Sequence, residues 1–189
     1  MEPQLKIVDK LVAGKERVLE LGCGNGKLIN GIAAAYPHLK AIIGVDFYNA
    51  PPVIDPRVQF IKQDLENLSI EGTFDLIILN HVFEHIKNPL GLVERIKKNL
   101  APRGKLLIIV PNRRGFQNEA RTYLPEHGKH YFLWDRESLE YSLNRLGMVC
   151  RFHNLHFTST RGNLLKFIPA LLRIENPNLM CIAAMDVQE

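Results

Sequence analysis

Glu20, Gly22, Gly24, Gly26 and Asp46 are the residues whose types and spacing point most directly at chemistry. The three glycines make a G-x-G-x-G turn between an apolar run ending at Leu21 and a helix-forming run that opens at Lys27. At a strand-to-helix junction such a turn offers free backbone N–H groups and lets a ligand approach the main chain closely. Asp46 follows the second apolar run, Ala41 to Val45, about 20 residues further on, where a carboxylate accepts both hydroxyls of a ribose. The combination predicts a nucleoside-containing cofactor.

The charge of the loop narrows the choice. The dinucleotide pattern G-x-G-x-x-G requires a glycine where Lys27 stands. Glu20, just before the turn, repels a phosphate but suits a ligand carrying an ammonium and a sulfonium, as S-adenosylmethionine does. At this point the chain resembles the class I S-adenosylmethionine-dependent methyltransferases, whose first motif, acidic-x-G-x-G-x-G, is met by Glu20, Gly22, Gly24 and Gly26. Cys23, inside the turn, is counted with the cofactor-lining residues and read as a small side chain. The resemblance implies a Rossmann-like three-layer αβα sandwich with a mostly parallel seven-stranded sheet and an antiparallel last strand.

Further positions carry the resemblance. It implies that Asp46 holds the ribose, that Phe47 packs on adenine, and that Asp64 and the Leu65 backbone contact the adenine edge. Asp64 has a second reading, as the cap of a short helix. Asn80 and His81, after the fourth strand, match positions facing the methionine end of the cofactor, whereas Asp75 is expected to be structural. On the acceptor side, Asn112, Arg113 and Arg114 begin a loop, and His127, His130, Tyr131 and Trp134 precede a helix, in a region that covers the substrate in related enzymes. His130, in the pattern His-Tyr-Phe-x-Trp-Asp, is the preferred general base, with capping or packing as the alternative. Tyr131 is placed with the substrate, and Arg113 and Arg114 either clamp an acceptor carboxylate or phosphate or are solvated loop charges.

The elements that must position these residues can be read from apolar periodicity. Strands are expected at Arg17 to Leu21, Ala41 to Val45, Val58 to Ile61, Phe74 to Leu79 and Lys105 to Val110, with polar residues following each on one rim. A helix is expected from Pro89 to Leu100, with Leu92, Val93, Ile96 and Leu100 as its stripe, stopped by Pro102 and Gly104. Another follows Asp135, which caps it, with Leu139, Leu143 and Leu146 buried and Gly147 beyond its end. Val149 to Phe157 and Leu179 to Val187 are expected to form the terminal antiparallel pair. The segment between Asp46 and Val58, with Pro51, Pro52 and Pro56, is too short for the helix that a parallel crossover usually includes.

Composition fits one domain over 1–189, with 111–135 as the substrate-side loop and 158–178 as an insertion before the last strand. The chain has 189 residues, 46% hydrophobic and 23% charged, and its apolar patterning leads to the expectation of neither a secretion-type leader nor a membrane span. A cytoplasmic location is expected, and the three cysteines, without framework or metal spacing, fit reduced thiols. The formal net charge of +4 fits an anionic partner, yet Lys and Arg are scattered rather than gathered into a nucleic-acid stripe. His81-Val82-Phe83-Glu84-His85 fits the H-x-x-E-H signature of inverted zinc proteases, with both histidines on one helix. The same motif recurs after the fourth strand in methyltransferases of this type, so no metal is expected, and His153 with His156 face opposite sides of a strand. The apolar stretch 164–174 is read as a packed turn, a substrate lid, a dimer contact or a membrane-surface patch. The reading is methyl transfer by in-line displacement to a small molecule, anionic or apolar, on oxygen or nitrogen, as in enzymes that methylate quinone precursors and other metabolites. Methylation of protein or RNA, and a noncatalytic S-adenosylmethionine-binding subunit, are the alternatives.

Overall fold

The computed structural model describes residues 3–50, 54–114, 130–153 and 178–186, with side chains of the first helix from Val8 onward. Its elements in chain order are α1 (Pro3–Val12), β1 (Arg17–Leu21), α2 (Lys27–Ala35), β2 (Ala41–Asp46), β3 (Val58–Lys62), β4 (Phe74–Asn80), α3 (Pro89–Ile96), β5 (Leu100–Pro111), α4 (Arg136–Asn144), β6 (Met148–His153) and β7 (Asn178–Met185). The strands form one seven-stranded sheet in the order β3-β2-β1-β4-β5-β7-β6. Strands β1 to β5 pair in parallel, and β7 runs antiparallel to both β5 and β6. The strand order reverses at β1, between β2 and β4, the point at which open α/β sheets bind ligands beyond the strand ends.

Alternation along the strands assigns the two faces. Leu19, Leu21, Ile43, Val45, Ile77, Leu79, Ile108 and Val110 pack with Leu92, Val93 and Ile96 of α3 and Leu139 and Leu143 of α4. Val18, Ile42, Leu76, Ile78, Leu107 and Ile109 pack on the other side with Val8 and Val12 of α1 and Ile29 and Ile32 of α2. With both faces covered, the central strands are near-continuous apolar runs, as buried parallel strands must be. Parity places Glu20 and Asp46 on the α1/α2 face.

Several boundaries differ from the sequence expectation. Helix α3 ends at Ile96, and Lys97–Asn99 form a 3-10 turn. Leu100, expected in the helix, instead opens β5 opposite Phe74. The cause is Asn99, whose amide donates to Ile70 O and Gly72 O at 3.0 and 2.7 Å and ties the helix exit to the loop before β4. Helix α1 was not expected. Helix α4 follows the sequence closely, since Asp135 and Ser138 form a reciprocal capping box and Gly147 takes φ 73° after the helix. Leu146 packs against the core from the turn beyond α4 rather than from the helix itself.

Asp75 is structural, its Oδ2 accepting from Glu16 N and Arg17 N at 2.9 and 3.0 Å. The described residues of the β2 to β3 crossover, 47–50 and 54–57, contain no helix. Residues 154–177 lie outside the described part, and with them His156, the expected extension of β6 to Phe157 and the 164–174 stretch; so do 115–129, with His127. Among the described residues no helix is long and apolar enough to cross a membrane.

Candidate functional site

The rim of the sheet at β1 and β2 is organised by the glycine turn. Gly22, Gly24 and Gly26 have φ of 73°, 51° and 75°, a region that side chains disfavour. Gly22 N and Cys23 N donate to Val45 O at 2.7 and 3.0 Å, which ties the turn to the end of β2. A Cβ on Gly22 would stand inside the envelope of Val82, so the turn also rests against the segment after β4. Gly44 leaves room for Cys23 Sγ in the same way. Burial, with Glu20 and Asp46 adding, pushes the Cys23 thiol up to about 12, which makes it a packing group rather than a nucleophile.

Glu20 is 2% exposed, and its Oε2 has no hydrogen-bond partner among the described residues. Burial pushes its carboxyl up to about 8, against the hydrogen bond that Ile29 N donates and with a smaller contribution from the charge of Asp46. A buried carboxyl with an unclaimed oxygen beside a second carboxylate is a receptor for a cation. Asp46 is buried and already engaged, Oδ2 accepting from Gly24 N at 2.7 Å and Oδ1 from Tyr48 N at 3.0 Å. Each oxygen keeps a second acceptor site, so the residue expected to hold a ribose also shapes the loop.

The neighbouring strand ends complete this half. Phe47 and Tyr48 stand outward, 61% and 74% exposed, in edge-to-face contact with ring centroids 5.7 Å apart. Asp64 caps the 3-10 turn Leu65–Asn67 through Glu66 N at 3.0 Å, while Leu65 is buried. At the end of β4, Asn80 Oδ1 is buried and has no partner among the described residues.

The other half is built around the turn after β4. His81 has φ 53° and its N–H donates to Ile109 O at 2.8 Å. That left-handed residue is incompatible with the single helix that the H-x-x-E-H signature requires, and the chain forms a 3-10 turn at Phe83–His85. Glu84, 1% exposed, is its centre: Oε1 lies 3.6 Å from His81 Nδ1 and 4.0 Å from His85 Nε2, and Oε2 has no partner among the described residues. The segment carrying His130 is fastened here, because Tyr131 N donates to Glu84 O at 2.8 Å and Trp134 stacks on Phe83 at 5.1 Å. The rings of His130 and His85 meet edge to face at 4.6 Å. Glu84 and His85 are not among the site residues expected from the sequence, and the His81-x-x-Glu84-His85 spacing was the available signal.

Arg114 bonds Glu137 at 3.1 and 3.3 Å and faces Asp135 at 3.6 Å, so its guanidinium frames the start of α4. The Ser138 N–H bond, helped by Arg114 and Arg113, holds the Asp135 carboxyl below its usual range. Arg113 is exposed, its N–H donating to Trp134 O at 2.8 Å, and Tyr131 is partly exposed beside the His130 cluster.

A doubly covered sheet with a cation-seeking glycine turn at its switch point defines a Rossmann-like domain for a positively charged nucleoside cofactor. A family model described as "Methyltransferase domain" matches residues 5–151, and the chain belongs to that family, within the S-adenosylmethionine-dependent class I fold. A malonyl-[acyl-carrier protein] O-methyltransferase of Priestia megaterium is 32% identical over 143 residues, 70% of this chain and 51% of the relative. A trans-aconitate 2-methyltransferase of Methylobacterium nodulans is 32% identical over 107 residues, 53% of this chain and 40% of the relative. The chain thus spans about half the length of these curated relatives or less. Among solved structures, a SAM dependent methyltransferase from Archaeoglobus fulgidus aligns with TM-score 0.71 at 18% identity, covering 95% of this chain and 90% of that one. A plantazolicin methyltransferase in complex with a triazolic desmethylPZN analog and SAH also gives 0.71, at 17% identity, covering 96% and 82%. Both likenesses are of fold.

Proposed function

We propose that this domain transfers the methyl group of S-adenosylmethionine to a small-molecule acceptor, with oxygen as the favoured acceptor atom. The observation that carries the reading is Glu20, a buried carboxyl with an unclaimed oxygen at the glycine turn. It matches the ammonium and sulfonium of that cofactor and opposes a pyrophosphate. Glu20 and the Gly22–Cys23–Gly24–Gly26 backbone hold the amino-acid end, with Asn80 and His81 alongside. Asp46 takes the ribose hydroxyls, Phe47 the face of adenine, and Asp64 and the Leu65 backbone its edge.

When bound, the cofactor supplies an electrophilic methyl on an excellent leaving group, so alignment accounts for much of the rate. The chain's part is to fix the acceptor in line and manage its proton. His130, beside His85 and Glu84 on the acceptor side, is the group assigned to that proton, with Tyr131 lining the acceptor and Arg113 positioned for an anionic one. The malonyl and trans-aconitate relatives, both named for acidic acceptors, support an anionic substrate. Free Cys23, Cys150 and Cys181 suit the reducing cytoplasm.

Calorimetric titration with S-adenosylmethionine, S-adenosylhomocysteine and NAD tests the cofactor, and a labelled-methyl screen of organic acids and phenols tests the acceptor. Binding of the first two without NAD is expected, and NAD binding alone overturns the reading. Tight cofactor binding with no acceptor methylated would favour the noncatalytic subunit, and salt-sensitive RNA binding would favour a nucleic-acid acceptor.

A further inference from the structure

The cluster after β4 contains more than a base for one proton. Glu84, His85 and His130 each offer one ligand atom, and the three atoms lie within 4.8 Å of one another. One anionic oxygen and two imidazole nitrogens form a donor set suited to a first-row divalent cation. Bonds of about 2.1 Å hold ligand atoms roughly 3 to 4 Å apart, so modest side-chain rotations close the set. Glu84 supplies the second observation. Its carboxylate is 1% exposed, its Oε2 has no partner among the described residues, and its Oε1 stands 3.6 and 4.0 Å from His81 and His85, beyond normal hydrogen-bond length. A carboxylate so placed is incompletely compensated, and a cation between it and the imidazoles would satisfy it.

We infer that Glu84, His85 and His130 bind one divalent transition-metal cation, Mn2+ or Zn2+ in type, whose open coordination positions receive the acceptor oxygen. The two ligand-bearing segments are already fastened together by the Tyr131 to Glu84 backbone bond and the Phe83–Trp134 stack, so binding requires no large rearrangement. Val82, next to the ligands, packs at Gly22 of the cofactor turn and sets the cation beside the cofactor half. The cation lowers the proton affinity of a coordinated hydroxyl; the proton passes to solvent and the oxygen lone pair forms the new bond to the methyl carbon as the carbon–sulfur bond breaks. His130 then serves as a ligand rather than as the base. The role in methyl transfer rests on the cofactor reading above, whereas cation binding stands on the cluster alone.

The experiment uses untagged protein stripped with a chelator and dialysed, titrated calorimetrically with Mn2+ and, separately, with Zn2+. Mn2+ occupancy is followed by its paramagnetic resonance signal. Titration with S-adenosylhomocysteine reports the cofactor site independently. Wild type is expected to bind one cation per chain. Glu84→Gln, and the milder His130→Gln and His85→Gln should Glu84→Gln misfold, are each expected to weaken that binding at least about tenfold while leaving S-adenosylhomocysteine affinity unchanged. Absence of binding at millimolar cation, or equal binding by wild type and all folded variants, overturns the inference. Failure of wild type to bind S-adenosylhomocysteine counts against the cofactor reading and leaves the cation result to be judged by itself.

Discussion

The two halves of the candidate site are assembled differently. The candidate cofactor half, Glu20 to Gly26 with Asp46, is held by main-chain geometry over a short span: positive φ at three glycines, two bonds to Val45 O and the Gly24 bond to Asp46. In the candidate acceptor half, Glu84 and His85 meet His130 from a distant segment, joined by one strong backbone bond and an aromatic stack. The difference shows why one half is spelled out in a motif and the other is not. A turn that only glycine can make leaves a signature at fixed spacing, whereas a cluster closed by tertiary packing leaves residues whose relation depends on the path of the chain between them.

The largest effect is expected at the contact where the halves touch. Gly22→Ala introduces a side chain at φ 73° and into Val82, and we expect a loss of about 2 to 5 kcal/mol in urea unfolding. Adding Val82→Ala should restore the packing part and leave the backbone strain; no recovery would mean that Val82 does not limit the turn.

Glu20→Gln comes next, with cofactor affinity expected to fall by about 1.5 to 3 kcal/mol in titration. The pH dependence of wild type has a definite sign. Glu20's stabilising contribution is fully present below its ordinary value of 4.5 and is lost as pH rises to about 8, because across that window the folded chain retains a proton that the unfolded chain has released. A cationic ligand favours the ionised form, so binding below about pH 8 should release a proton and its heat should vary with the buffer. Glu20→Gln should remove that variation, and its persistence would place the proton elsewhere.

Asp46→Ala should cost about 1 to 3 kcal/mol in cofactor affinity, and Asp46→Asn less, because an amide oxygen can still accept from Gly24 N. Equal losses would mean that the charge, rather than the loop bond, carries the effect. On the acceptor side, Asp135→Ala should lower stability by about 1 kcal/mol through the lost cap of α4. Arg114→Ala, which breaks exposed ion pairs, should change stability by less than about 1 kcal/mol.

Legibility in the sequence follows the same division. The β strands, the α4 capping box and the glycine turn each follow from a local rule of periodicity, capping or φ preference, and the structure has them close to where those rules put them. Helix α3 was expected to run too far because the apolar stripe continues through Leu100. Only the long-range bonds of Asn99 to Ile70 and Gly72 turn the chain into a strand there. Helix α1 has a short stripe, and the sequence before Pro3 holds no Ser, Thr, Asp or Asn, so little in its sequence announces it. The turn after β4 shows the same limit: His81 adopts a left-handed backbone that the His-x-x-Glu-His spacing does not encode. Glu84 is central because His130 reaches it from a distant segment, and that encounter exists only in three dimensions.

The position of β7 bears on how the protein is made. In the sheet it lies between β5 and β6, and among the described residues β6 has no other strand neighbour. As the chain leaves the ribosome, β1 to β5 can pair as they emerge, while β6 has no hydrogen-bonding partner among the described strands until β7 arrives to bridge it to β5. During that interval the edge of β5 is an open template for another chain. Translation stalled before Asn178 would therefore yield a nascent domain with its glycine turn already formed and an adhesive flank, the form in which a holdase chaperone would meet it.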